Sequence, residues 1–132
     1  MFQAFSAGFF VLGQIPRKGY GPMQQKIEIL LIEDSVEDSA LMEKILGRVR
    51  DAVFKLETRP SLATGLDCLN EGKVDLVLLD LNLPDSFGME TFMGLHSSHP
   101  QIPVILLTGH DDKETALKLV REGAQDYIVK GE

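Results

Sequence analysis

The sequence predicts an α/β fold, a parallel sheet with helices on both faces. Three observations predict it. Short aliphatic runs recur at 27–32, 74–79 and 104–107, as strands buried on both faces require. Stretches with apolar residues three and four apart separate those runs, the spacing of one helix face. The two kinds alternate along the chain, which leaves right-handed crossovers as the connections.

At 132 residues the chain holds one domain and a single core. The net charge of −7 is uneven: residues 1–22 carry Arg17 and Lys18 and no acid, so the remainder holds −9. An acidic body argues against nucleic-acid binding through this domain and suits a site that collects a divalent cation. The single cysteine, Cys68, excludes an internal disulfide and fits a reducing, cytoplasmic setting. No apolar run reaches the length of a membrane span. The apolar start, 1–12, lacks the preceding positive charge and the cleavage site of a signal peptide.

In chain order, Phe2, Phe5, Phe9 and Leu12 form one helical stripe, and Pro16, Gly19, Gly21 and Pro22 mark a linker. Residues 1–22 are therefore an N-terminal extension, and 23–132 the domain. The run at 27–32 is the first strand, ending in Glu33-Asp34. Ser35 begins a capping box in which Asp38 stands for the usual Glu or Gln, and Leu41, Ile45, Leu46 and Val49 carry a helix to about residue 50. Residues 54–58 alternate as a half-exposed edge strand. Ser61 caps a helix with Leu62, Leu66 and Leu69, stopped by Gly72, and Cys68 is a small packing residue on it.

The central strand spans 74–80, breaks at Leu83-Pro84-Asp85, and ends in the carboxylate of Asp80. A helix from Gly88 to about residue 97 carries Met89, Phe92, Met93 and Leu95 as a core stripe. Residues 104–108 form a buried strand. The turn at 109–112 enters a helix with Ala116, Leu117 and Val120, ended by Gly123, and 126–130 is the last strand.

In such sheets ligands sit at the carboxyl ends of the strands, where the strand order switches direction. Those ends carry Glu33, Asp34, Asp80, Thr108 and Lys130. Taken singly, each acid reads as a turn former or cap. Taken together, three carboxylates at one rim repel one another, and a hard cation relieves that repulsion. Magnesium accepts carboxylate and carbonyl oxygens, keeps several waters and bridges to phosphate. Lys130 is a point cation for a phosphate oxygen, Thr108 offers a hydroxyl, and an Asp carboxylate can be a nucleophile toward phosphorus.

From about Lys26 to Lys130 the chain resembles the receiver domains of two-component response regulators. The resemblance rests on the acid pair Ile32-Glu33-Asp34, the stretch Leu79-Asp80-Leu81-Asn82-Leu83-Pro84-Asp85 with Gly88, the pair Thr108-Gly109, and Tyr127-Ile128-Val129-Lys130. It implies a doubly wound, flavodoxin-like five-stranded sheet of order 2-1-3-4-5. It also implies that Asp80 accepts phosphate from a histidine kinase or phosphotransfer protein in a phosphorelay. Asp34 would bind Mg2+ directly, Glu33 through water, and Asn82 through its carbonyl. Lys130 would pair with Asp80, Thr108 would turn toward the phosphoryl group, and Tyr127 would follow. Gly109 leaves room for the donor, and Asn82 and His110 sit where dephosphorylation is tuned. On that resemblance the domain would signal to a downstream effector, span no membrane, and allow a homodimer. The resemblance thus implies a switch that assists its own phosphorylation rather than an enzyme.

Two departures stand out. Gly131 replaces the family's usual proline, and a non-proline cis bond costs roughly 3 kcal/mol, so a trans bond is expected there. The sequence given stops two residues after Lys130, so the family's last helix is missing from it; either the Phe2/Phe5/Phe9/Leu12 stripe covers the exposed strands or the sequence is part of a longer chain. Two other functions compete with this one. One is a receiver-like interaction module that is never phosphorylated. The other is a magnesium-dependent phosphatase, which places a second Asp two residues after the nucleophile, where this chain has Asn82.

Overall fold

The computed structural model describes residues 26–49 and 52–130. The extension at 1–22, its apolar stripe and the bond to Gly131 lie outside those residues. Five strands are described in the main sheet: β1 Lys26–Ile32, β2 Val53–Arg59, β3 Leu76–Asp80, β4 Val104–Thr108 and β5 Asp126–Val129. All pair in parallel, in the order β2-β1-β3-β4-β5, as the resemblance implies. Four helices are described: α1 Val36–Gly47, α2 Leu62–Leu69, α3 Met89–Ser98 and α4 Lys113–Glu122. None is described after β5, and none is long and apolar enough to cross a membrane. A short hairpin, Asn82–Leu83 against Ser86–Phe87, follows β3.

The strands β3 and β4 are buried along their whole length, which explains their unbroken aliphatic composition. β2 alternates exposed and half-buried, as an edge strand does. One side of the sheet packs Leu30, Ile32, Val77, Leu79 and Leu106 against Leu69 of α2, Phe92 and Leu95 of α3, and Ala116 and Leu119 of α4. The other packs Ile29, Leu31, Leu78, Ile105 and Leu107 with Met42 and Leu46 of α1. Ile27 on the first strand and Ile128 on the last are 2% and 3% exposed.

Gly65 brings α2 onto β1. A Cβ there would overlap Cδ1 of Ile32 and stand 2.8 Å from its Cγ1, and the Ile32 side chain is fully buried.

Three expectations need correction. β3 starts at Leu76 because Asp75 closes the strand mouth instead: its N–H donates to the Glu28 carbonyl at 2.8 Å and its carboxylate accepts from the Glu28 N–H at 2.9 Å. α1 ends at Gly47 because the N–H groups of Arg48 and Val49 turn back to the carbonyls of Ile45 and Leu46, tightening the last turn. Met89 and Met93 are not core residues; they are 44% and 43% exposed. With 3.6 residues per turn, Thr91, Phe92 and Leu95 share an arc roughly 100° wide that faces the sheet, and the two methionines fall outside it.

Candidate functional site

Parallel register carries the polar residues to one edge. The Glu33 N–H extends the β1–β2 ladder to the Arg59 carbonyl at 2.9 Å. Asp80, the last residue of β3, lies opposite Leu107, and Thr108, the last of β4, lies opposite Val129. The Lys130 N–H then donates to the Thr108 carbonyl at 2.7 Å. The connection from β1 runs one way, to β2, and the connection from β3 runs the other way, to β4, so a cleft opens between the ends of β1 and β3.

Lys130 is the centre of the site. Its Nζ donates to Glu33 Oε1 at 2.5 Å, Asp80 Oδ2 at 2.7 Å and Asp38 Oδ2 at 2.9 Å. Asp80 and Glu33 are 5% and 2% exposed, and Asp34 stands at the solvent side. The other Asp80 oxygen, Oδ1, accepts the Asn82 backbone N–H at 2.8 Å. Glu33 Oε2 accepts the Ser35 N–H at 3.2 Å. Burial, reinforced by a hydrogen bond with Asp80, pushes the Glu33 carboxyl up to about 8, although Lys130 pulls it down. Burial works against the Lys130 charge, but the hydrogen bonds it donates to Asp80 and Glu33 outweigh that and hold the ammonium above its ordinary range.

One oxygen from each of Glu33, Asp34 and Asp80 lies within 4.8 Å of the others. Oxygens around an octahedral magnesium ion are about 3 to 4 Å apart, so small side-chain adjustments bring this all-oxygen set onto such an ion. The donor chemistry fits a hard cation.

Thr108 is buried at the end of β4, and its hydroxyl donates to the Gly109 carbonyl at 3.2 Å rather than to Asp80. A Cβ at Gly109 would meet nothing within 4 Å, so the space at Gly109 is open. Tyr127 is half-buried, packed on the α2–α4 side of the core. His110 opens a 3-10 turn, His110–Asp112, that leads into α4.

Three acids do more than their sequence context suggested. Asp38 reaches Lys130. Asp112 accepts from the Asn82 side-chain amide at 3.1 Å, linking the loop after β3 to the start of α4. Asp85, read from sequence as a loop residue, accepts the N–H groups of Leu62 and Ala63 at 2.9 and 3.0 Å and so caps α2 beside Ser61. Those hydrogen bonds hold the Asp85 carboxyl below its usual range.

The response regulator receiver domain family matches residues 29–132. The chain belongs to that family. Among curated relatives, the regulatory protein LuxO of Vibrio vulnificus is 40% identical over 110 residues, covering 76% of this chain and 21% of LuxO. The response regulator PilR of Pseudomonas aeruginosa is 31% identical over 103 residues, covering 76% of this chain and 22% of PilR. This chain thus spans about a fifth of the length of these relatives. The receiver domain of NtrX from Brucella abortus superposes with a TM-score of 0.67 at 30% identity, covering 79% of this chain and 86% of that one. A receiver domain protein from Clostridium thermocellum gives 0.65 at 28% identity, covering 80% and 83%. Receiver domains act in two-component signal transduction and bind Mg2+ at an acidic pocket, and this receiver carries such a cluster in Glu33, Asp34 and Asp80.

Proposed function

We propose that this receiver is a phosphorylation-dependent switch in which Asp80 takes a phosphoryl group from a phosphohistidine of a kinase or phosphotransfer protein. The observation that carries the reading is Asp80 itself, a carboxylate at the end of a buried strand, 2.7 Å from the Lys130 ammonium and beside two further acids.

Glu33, Asp34, Asp80 and the Asn82 carbonyl are the groups that would hold magnesium. When bound, the ion offsets the charge of the carboxylates and of the phosphoryl oxygens. An Asp80 oxygen attacks phosphorus, the P–N bond to the donor imidazole breaks, and an acyl phosphate forms. Lys130 neutralises charge on the transferring group. The Thr108 hydroxyl leaves the Gly109 carbonyl for a phosphoryl oxygen, and Tyr127 follows it inward. That movement alters the α4–β5 face, which a downstream effector reads. The setting is cytoplasmic, and nucleic acid is not bound by this domain.

The test is exposure to beryllofluoride with magnesium, followed by chemical-shift mapping. The reading expects changes at Asp80, Thr108 and Tyr127 that vanish in Asp80→Asn. Spectra unchanged in both proteins favour instead a receiver-like interaction module that is never phosphorylated.

A further inference from the structure

We propose that Asp38 is a positioning residue for Lys130: the anchor that keeps the ammonium at the Asp80 rim when a divalent ion draws on Glu33 and Asp80. The inference builds on the reading above and deepens it.

An ammonium has three N–H donors, and Lys130 uses all three on carboxyl oxygens. Two of its partners, Glu33 and Asp80, belong to the oxygen cluster that fits an ion, while Asp38 does not. Among the described residues, Asp38 gives its carboxylate to the lysine at 2.9 Å.

The local sequence frees it for that task. Ser35 is the N-cap of α1, and its Oγ accepts the Asp38 N–H at 3.2 Å. In a complete capping box the acid at Asp38 would return the favour to the Ser35 N–H. Here Glu33 Oε2 already accepts that N–H at 3.2 Å. The Asp38 carboxylate is left to reach Lys130, while its backbone is fixed by the first turn of the helix. Its side chain is 31% exposed, against 1% for Glu33 and 7% for Asp80, so the third bond pulls from the solvent side.

A bound ion shares the oxygens that hold Lys130 and repels the ammonium directly. The lysine stem is flexible and its head is strongly hydrated, so an unanchored ammonium would turn toward water. Asp38 opposes this, because its bond survives ion binding. The bond contributes least without the ion, when Glu33 and Asp80 suffice, and most with it.

The test uses the full chain as wild type, D38N, D38A and D38E, acylated with limiting acetic anhydride at neutral pH, with and without magnesium chloride. Labelling of Lys130 is read by peptide mass spectrometry, with exposed Lys55 as internal reference. Wild-type Lys130 is expected to label slowly in both buffers. In D38N it matches wild type without magnesium and labels about tenfold faster with it, the size of one lost charge-assisted hydrogen bond. D38A gives the same pattern should D38N fold poorly, and D38E restores protection. Equal protection of D38N and wild type in magnesium overturns the proposal. So does equally fast labelling of D38N without magnesium, which would make Asp38 a plain structural contact. Acetyl phosphate treatment of the wild type is run alongside. If Asp80 takes no phosphate yet the labelling pattern holds, the phosphoacceptor reading fails and the anchor stands; phosphorylation with a flat labelling pattern means the reverse.

Discussion

The Lys130 ammonium stands 2.7 Å from Asp80 Oδ2, although the two residues are 50 positions apart in sequence. The contact exists because β3 and β5 flank β4 in parallel and end at one level. Removing one partner of such a pair leaves a charge with reduced access to water. Lys130→Met is expected to destabilise the metal-free protein by about 3 kcal/mol. The double variant with Asp80→Asn recovers a large part of that loss. Urea unfolding of the four proteins measures this, and strictly additive effects would count against the coupling.

Glu33 sets a pH dependence. Its carboxyl is raised from 4.5 to about 8 in the folded chain, by burial first and by Asp80 second. Between those values the folded state keeps a proton that the unfolded state has lost. This group therefore contributes its full stability below pH 4.5, and the contribution fades as pH rises through 8. Without metal, the difference between wild type and Glu33→Gln should shift by on the order of 5 kcal/mol across that window. Magnesium displaces the same proton, so affinity for the ion should climb as pH approaches 8. Denaturant titrations and calorimetry over that range check both.

Asp85 holds the start of α2 from outside the helix. Asp85→Ala should cost about 1 kcal/mol at neutral pH, as the loss of a helix cap does. The carboxyl is held below its usual value, so its contribution is present above the ordinary Asp range and is lost as pH falls through the lowered folded value. The gap between the two proteins should close in strong acid. A gap independent of pH would mean that the carboxylate charge is not what caps the helix.

Gly65 leaves no room for a side chain against Ile32. Ala is the better helix former, by about 1 kcal/mol. Gly65→Ala should nonetheless lower stability by about 1 to 2 kcal/mol net, because the overlap involves a fully buried side chain. Ile32→Val removes the nearest offending atom, so the pair should be more stable than the sum of the single changes predicts. Thermal melts of the three variants decide it.

How far the sequence can be read follows from how local each cause is. β3 and β4 were legible because complete burial leaves unbroken aliphatic runs, and Asp80 because a charge at the mouth of such a run is conspicuous. Ser35 and Ser61 were legible as caps because capping is settled within three residues. Met89 and Met93 misled, since an apolar side chain at helical spacing does not reveal which arc meets the sheet. The cap from Asp85 reaches back 22 and 23 residues, and the Asn82–Asp112 bond spans 30, so neither leaves a local pattern. In sequence Asp38 reads as half of a capping box, and only the folded chain brings Lys130 to it across 92 residues.

The most direct measurement of the central claim is chemical mapping of the phosphorylated residue. The chain is incubated with magnesium and acetyl phosphate, reduced with borohydride to convert any acyl phosphate to an alcohol, and sequenced by mass spectrometry. The account predicts homoserine at position 80, abolished when magnesium is chelated. Conversion at a different residue, or none under conditions that leave the protein folded and bound to magnesium, would contradict it.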